Sequence, residues 1–369
     1  MSNFIRPVYL EVDLSQLRRN LEAIRARVGS VKIMPMVKAN AYGHGVEGVA
    51  PFIEPYVDYF GVAILEEGIQ LRKLGIKKPI LVAGGTLPEQ VPYFAEYDLT
   101  LTGSSVELLD AAEQVARNSG RRIVTHLKID TGMERVGVRE YEAEWLIRKS
   151  AACSHLIVEG IYTHLANAES ADKMHARLQL KRFREVLEVY GRLNLPVPPI
   201  RHVCNSGGIL NLPEAYFEMV RPGILFYGVY PGAEVDRMIP VQPALTWRAK
   251  VSYSKRTRPG RSVSYGSLWQ AEVETRIVTI PCGYADGYFR RMTNRSQVVI
   301  HGRKYPQVGR ICMDQFMVNV GEADVRVGDE AILLGQGITV EDFAEWTGTN
   351  EYEVLTSIGA RVPRVYVAE

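Results

Sequence analysis

The sequence predicts an α/β chain: a (β/α)8 barrel followed by a mostly β C-terminal domain. Three observations predict it. Between about residues 13 and 230, short apolar strand patterns alternate with helical patterns about eight times, and repeated βα alternation means a parallel sheet that can close on itself. Beyond about residue 242 the apolar period drops to two, the mark of strands with one wet face. Polar and glycine-containing motifs follow directly after several expected barrel strands, and in a barrel those strand ends share one rim.

Leu14, Leu17, Leu21, Ile24 and Val28 recur at spacings of three and four residues, one face of a helix for which Asp13 is a cap. Barrel strands are expected over 33–37, 60–63, 80–83, 99–101, 123–129, 157–163, 200–203 and 218–220. In the second domain Leu245, Trp247, Ala249, Val251 and Tyr253 alternate with Thr246, Arg248, Lys250 and Ser252, one strand over 245–253. Further strands are expected over 276–280, 297–300, 316–320 and 330–334, and short helices over 340–347 and 352–358. The domains are set at 12–238 and 239–369, with the alternating N-terminal segment 1–11 packing against the second.

The chain has 369 residues, enough for two domains and a large core. Apolar content is 46% and charged content 23%, as in ordinary soluble proteins. A formal net charge of +2 leaves no electrostatic footprint for nucleic acid or a membrane surface. The cysteines Cys153, Cys204, Cys282 and Cys312 form no CxxC pair, which suits a reducing compartment and argues against a thiol metal site. The N-terminal stretch has no apolar signal core and no long uncharged apolar run comes after it, so a cytoplasmic protein is expected.

The chemistry is concentrated first at Val37-Lys38-Ala39-Asn40-Ala41-Tyr42-Gly43-His44-Gly45. An ammonium is costly to enclose, and burial lowers its pKa and makes it a nucleophile toward carbonyls. The next residues offer a phenol, glycines and a candidate helix N-terminus, the parts that hold a phosphate beside an imine. Taken alone, the stretch also reads as a strand end whose lysine reaches solvent. Arg221-Pro222-Gly223-Ile224 offers an arginine for a ring nitrogen or carboxylate and backbone N–H groups for a phosphate; the plain reading is a salt-bridged surface arginine. Cys204-Asn205-Ser206-Gly207-Gly208 is a small-residue turn, either a phosphate nest or a helix cap with a glycine hinge. His164 ends a strand and gains chemical meaning only with Arg221 beside it. In Lys128-Ile129-Asp130-Thr131-Gly132-Met133-Glu134-Arg135, Arg135 is a candidate for holding a phenolate or carboxylate, and Lys128 points to the rim or the barrel interior. In the second domain, Tyr265 of Ser264-Tyr265-Gly266 is a proton-donor candidate or a packed turn tyrosine.

These motifs, together with Gly283-Tyr284-Ala285-Asp286-Gly287 and Val308-Gly309-Arg310-Ile311-Cys312-Met313-Asp314, resemble the alanine racemase family from about Val8 to Tyr366. The resemblance implies a TIM barrel, pyridoxal 5′-phosphate as cofactor, and racemisation of alanine by two bases, supplying D-alanine for peptidoglycan. Lys38 would bind the cofactor covalently and serve the D-isomer, and Tyr265 would serve the L-isomer. Tyr42, Ser206, Gly223, Ile224 and Tyr352 would hold the phosphate, with Asn205 and His164 also in the cofactor site, and Arg221 would face the pyridine nitrogen. Arg135 would contact the phenolic oxygen and, with the Met313 N–H, the substrate carboxylate; Tyr284 would narrow the entrance. His164 and Arg221 would tune the Tyr265 hydroxyl. Lys128 matches a position carbamylated in many members. Tyr265, Tyr284 and Met313 would come from the second copy of a head-to-tail homodimer with shared sites. Relatives accept serine or basic amino acids, so a broader-specificity racemase is the alternative. A decarboxylase of related barrel would need a different second-domain motif, and a cofactor-homeostasis protein of similar barrel would lack that domain.

Overall fold

The computed structural model describes residues 5–368. It divides into two compact units, one of residues 17–41 and 46–242, the other of 5–16, 42–45 and 243–368. No helix among the described residues is long and apolar enough to cross a membrane.

The first strand, β1 (Val8–Asp13), belongs to the second of these units. The other unit is the barrel. Its strands are β2 (Lys32–Ile33), β3 (Phe60–Val62), β4 (Ile80–Val82), β5 (Leu101–Gly103), β6 (Ile123–Asp130), a short β7 (Val138–Arg139), β8 (Leu156–Tyr162), β9 (Ile200–His202) and β10 (Met219–Val220). Strands β5, β6, β8, β9, β10 and β2 pair in parallel in that spatial order, and β3 pairs in parallel with β4. Parallel bridges between Met36 and Gly61 and between Leu81 and Thr100 join the two sheets at both seams, so the ring closes. β7 hangs off β6 outside this ring.

Helices connect successive strands because each connection carries an apolar stripe at helical spacing. In Leu14–Val28, for example, Leu17, Leu21, Ile24 and Val28 are buried. Inside the barrel, Met34, Tyr59, Leu81, Tyr162, Ile200 and Met219 pack as one cluster, a filled interior rather than a pore. The barrel ladder is interrupted between β6 and β8. Thr125 is in register with Val158 and the next residue, His126, with Gly160, which leaves Glu159 as the extra residue of a β-bulge.

The second unit is built on a nine-stranded sheet. Its remaining strands are β11 (Leu245–Lys250), β12 (Tyr253–Thr257), β13 (Thr275–Ile280), β14 (Gln297–Ile300), β15 (Arg303–Val308), β16 (Phe316–Gly321), β17 (Glu330–Leu334) and β18 (Arg364–Val367). β1 pairs antiparallel with β11 and parallel with β18. Trp247, Tyr288, Phe316 and Phe343 are buried over this sheet, and the Tyr288 and Phe316 rings stack at 4.2 Å. The expected single strand over 245–253 is in fact two. Lys250 pairs with Glu330 while Tyr253 pairs with Thr279, so the chain changes partners at residues 251–252 although the alternation of side chains runs on.

Candidate active site

Lys38 stands just past β2, beyond the bridge from Met36 to Gly61, and is half-buried. The chain then makes a turn that sequence patterning does not foretell. Ala39, Asn40, Ala41 and Tyr42 all have φ between 49° and 54°, a left-handed helical turn without a glycine. Each such residue costs about 1–2 kcal/mol, so local contacts must hold it. The Ala39 N–H donates to Glu67 Oε1 at 2.6 Å, the Ala41 N–H to the Val37 carbonyl at 2.9 Å, and Asn40 Oδ1 accepts from the Val46 N–H at 2.8 Å. The candidate helix N-terminus therefore lies later, in Val46–Ile53. The pKa of Lys38 is lowered, first by burial and then by the charge of Arg135, with Glu67 opposing.

Other cations share this rim. Asp130, at the end of β6, accepts the N–H groups of Gly132, Met133 and Arg135 at 2.9–3.0 Å and so shapes the turn that delivers the exposed Arg135. Lys128, two residues earlier, is buried, with Nζ 4.7 Å from the centre of the Tyr162 ring. It has no ion-pair partner among the described residues. Burial, then the neighbouring charge of Arg221, pushes its pKa well down.

Arg221 comes directly after β10 and is buried without a carboxylate partner among the described residues. Its Nη2 donates to the carbonyls of Thr163 and Val203 at 2.8 and 3.0 Å and to His164 Nδ1 at 3.3 Å. Its Nη1 donates to His202 Nδ1 at 2.9 Å, and its Cζ lies 5.3 Å from the centre of the Tyr162 ring. Burial lowers the guanidinium pKa to about 10. His164 does have Arg221 beside it. Burial and then the charges of Arg221, Lys128, Arg135 and Lys38 drive its pKa well down, so its ring is neutral.

Asn205 caps the short helix Ser206–Asn211, its Oδ1 accepting from the Gly208 N–H at 3.0 Å. The buried Ser206 hydroxyl gathers the N–H groups of Gly223 at 2.9 Å and Leu225 at 3.3 Å, which ties this turn to the buried Gly223-Ile224 segment after β10. Both readings of the motif thus coexist: the asparagine is a cap, and the serine belongs to a cluster of amide donors.

The remaining sequence candidates lie in the second unit. The Tyr42 and Tyr352 rings stand 6.1 Å apart. Tyr265, Tyr284 and Met313 line one open groove with Arg290, Arg310 and Asp314, and are 72%, 41% and 52% exposed. The Tyr284 N–H donates to the Cys312 carbonyl at 3.1 Å and the Ala285 N–H to the Met313 carbonyl at 3.0 Å, so the two loops are tied together. A Cβ at Gly283 would collide with both carbonyls. Sequence reasoning gives no role to Arg6 and Asp286. The fully buried Asp286 takes a two-pronged hydrogen bond from Arg6 at 2.6 and 2.7 Å and accepts from the Gly283 N–H at 3.0 Å, pinning the Tyr284 turn. The place of Asp286 within Gly283-Tyr284-Ala285-Asp286-Gly287 is its only sequence signal. His126, Glu159 and His202 carry no motif that would single them out.

A lysine of lowered pKa on the rim of a closed parallel barrel is the equipment of an enzyme that works through an amine. Comparison with known proteins makes the class specific. Residues 12–231 match the family described as alanine racemase, N-terminal domain, and residues 244–366 match alanine racemase, C-terminal domain. An alanine racemase of Carboxydothermus hydrogenoformans is 44% identical, over 98% of this chain and 100% of that protein. The solved alanine racemase of Clostridium difficile superposes with a TM-score of 0.95 at 36% identity, covering 100% of this chain and 97% of the other. That of Bartonella henselae, with covalently bound pyridoxal phosphate, superposes with a TM-score of 0.89 at 28% identity, covering 98% and 99%. The chain belongs to the alanine racemase family.

Proposed function

We propose that the chain interconverts L- and D-alanine with pyridoxal 5′-phosphate bound at Lys38, and that Lys38 and Tyr265 are its two bases. The observation that carries this reading is the half-buried Lys38 of lowered pKa on the barrel rim.

The donor set suits the cofactor. Its aldehyde needs an amine with an accessible neutral form, which burial gives Lys38. Its phosphate needs hydroxyl and backbone N–H donors, the groups that Tyr42, Ser206, Gly223, Ile224 and Tyr352 offer, with Asn205 fixing the Ser206 turn. Arg221, a buried cation without a carboxylate partner among the described residues, would face its pyridine nitrogen and would disfavour a proton there. When bound, the cofactor delocalises the negative charge left on Cα once its proton is removed.

The chain's own groups do the rest. The neutral Lys38 amine takes the Cα proton of the D-isomer, and the Tyr265 hydroxyl serves the L-isomer from the opposite face. Arg135 holds the substrate carboxylate with the Met313 N–H, and Tyr284 narrows the way in. His164 and Arg221 tune the phenol. The buried Lys128, which has no ion-pair partner among the described residues, is carbamylated, which turns a neutral buried amine into an anionic partner for Arg135.

The working form is a homodimer. Tyr265 is 72% exposed, and a base that handles a Cα proton must be screened from bulk water, so Tyr265, Tyr284 and Met313 reach the site of a second copy. The enzyme is cytoplasmic and its D-alanine feeds cell-wall synthesis. The test is a chiral assay of cofactor-loaded protein with alanine, serine and lysine. Conversion of each alanine isomer into the other supports the reading; release of carbon dioxide without inversion rules it out.

A further inference from the structure

A single hydrogen-bonded line runs through the barrel interior from Arg221 to Glu159. Arg221 Nη1 meets His202 Nδ1 at 2.9 Å, His202 Nε2 meets His126 Nδ1 at 2.9 Å, and His126 Nε2 meets Glu159 Oε2 at 3.2 Å. The Tyr59 hydroxyl donates to the same carboxylate oxygen.

The direction of every bond is set by its first member. A guanidinium only donates, so His202 Nδ1 accepts and its proton sits on Nε2. That proton goes to His126 Nδ1, which leaves the His126 proton on Nε2, aimed at the carboxylate. Both rings are fully buried. Burial keeps His126 and His202 below their ordinary pKa, for His202 with Arg221 adding to the effect, so both are neutral. The His126 hydrogen bond in turn holds Glu159 below the usual carboxylate range, so the line ends on an anion.

Three features show that the fold makes room for this line. Glu159 is the extra residue of the bulge between β6 and β8, a device that re-aims a side chain. Gly160, next to it, leaves space for the His126 ring, which a Cβ would approach to 2.5–2.7 Å. Tyr162, two residues on, stacks on His202 at 4.5 Å with the planes 7° apart.

We propose that Glu159 is a positioning residue for racemisation, acting on Arg221 through His126 and His202. This rests on the proposed function, in which Arg221 faces the cofactor's ring nitrogen. The carboxylate polarises each ring in turn, so that His202 Nδ1 is a stronger acceptor and holds the Arg221 guanidinium in one plane. It also supplies, at a distance, the negative charge that no group in contact with Arg221 among the described residues provides.

The test uses the full-length protein with 15N-labelled histidine, with and without pyridoxal 5′-phosphate. Glu159→Gln keeps an acceptor oxygen but loses the charge. The expected result is a shift of the Nε2–H signals of both His126 and His202, the second of which Glu159 does not touch. With it, kcat for alanine falls about tenfold while KM changes less than about twofold, and Glu159→Asp recovers part of the loss. An unmoved His202 signal or an unchanged kcat in folded Glu159→Gln overturns the proposal. If Glu159→Gln does not fold, Tyr59→Phe replaces it. Losing the tyrosine's hydrogen bond makes the carboxylate a stronger acceptor, so the His202 signal must move the opposite way, and no movement overturns the proposal. Failure of the wild-type protein to racemise alanine contradicts the functional reading itself, whereas the His202 shift needs no turnover and tests the line separately.

Discussion

Gly160 lies against the imidazole of His126, so close that a Cβ at position 160 would stand 2.5–2.7 Å from the ring. The two residues are register partners on β8 and β6, and neither backbone can retreat without breaking the barrel ladder. Gly160→Ala is therefore expected to destabilise the protein by about 1–3 kcal/mol, the cost of overpacking a filled interior. Denaturant unfolding of the two proteins checks this.

Lys38→Ala removes the amine proposed to bind the cofactor. The absorbance of the lysine-bound cofactor is expected to vanish while the circular dichroism of the fold stays, since Lys38 is half-buried and lies outside the barrel ladder. An intact band in the variant contradicts the assignment.

Tyr265→Phe removes a hydroxyl from an exposed side chain and leaves the core alone. Conversion of L-alanine should slow by about a hundredfold or more, the range for a lost general base, with cofactor affinity nearly unchanged. Kinetics from each isomer, alongside a cofactor titration, measure the difference.

Stability should fall as pH drops below about 6.5, the ordinary histidine value. His126, His164 and His202 are held below that value in the folded chain, chiefly by burial. In acid the unfolded chain binds protons that the folded chain refuses, so each such ring costs up to about 1.4 kcal/mol per pH unit until its folded pKa is reached. Above about pH 8 these rings are neutral in both states and contribute almost no slope. Chemical unfolding between about pH 5 and 8, in about half-unit steps, reads the slope directly.

Lys128 is buried, and burial leaves its amine neutral enough to add carbon dioxide, releasing a proton and forming a carbamate. With 13C-labelled bicarbonate, a carbamate carbon signal is expected in the wild-type protein and not in Lys128→Arg. Its absence from both would show an unmodified amine.

Much of this was legible in the sequence because barrels write themselves locally. Alternation marks the strands, and rim motifs bring out Lys38, Arg135, His164, Ser206 and Arg221 as one group. The left-handed turn at 39–42 was not legible, since Asn40 favours that conformation only as a single residue and the flanking alanines and Tyr42 carry no signal for a turn held by Glu67 and Val46 from outside it. Nor was β15, whose run of Arg303, Lys304 and Pro306 reads as a loop until pairing with β14 fixes it. The line through His126 and His202 escapes a sequence reading because isolated histidines on buried strands look like filler. It is the bulge at Glu159, a tertiary event, that gives His126 its carboxylate partner, and His202 joins the line only through His126. The N-terminal Arg6 finds Asp286 some 280 residues away, a distance no local pattern spans.

The most direct measurement is turnover of L-alanine by the cofactor-loaded full-length protein in deuterium oxide, with chiral separation and mass spectrometry of the product. Two bases on opposite faces predict D-alanine carrying solvent deuterium at Cα, with no carbon dioxide released. Product D-alanine that keeps the original Cα hydrogen, or no D-alanine at all, would contradict the account.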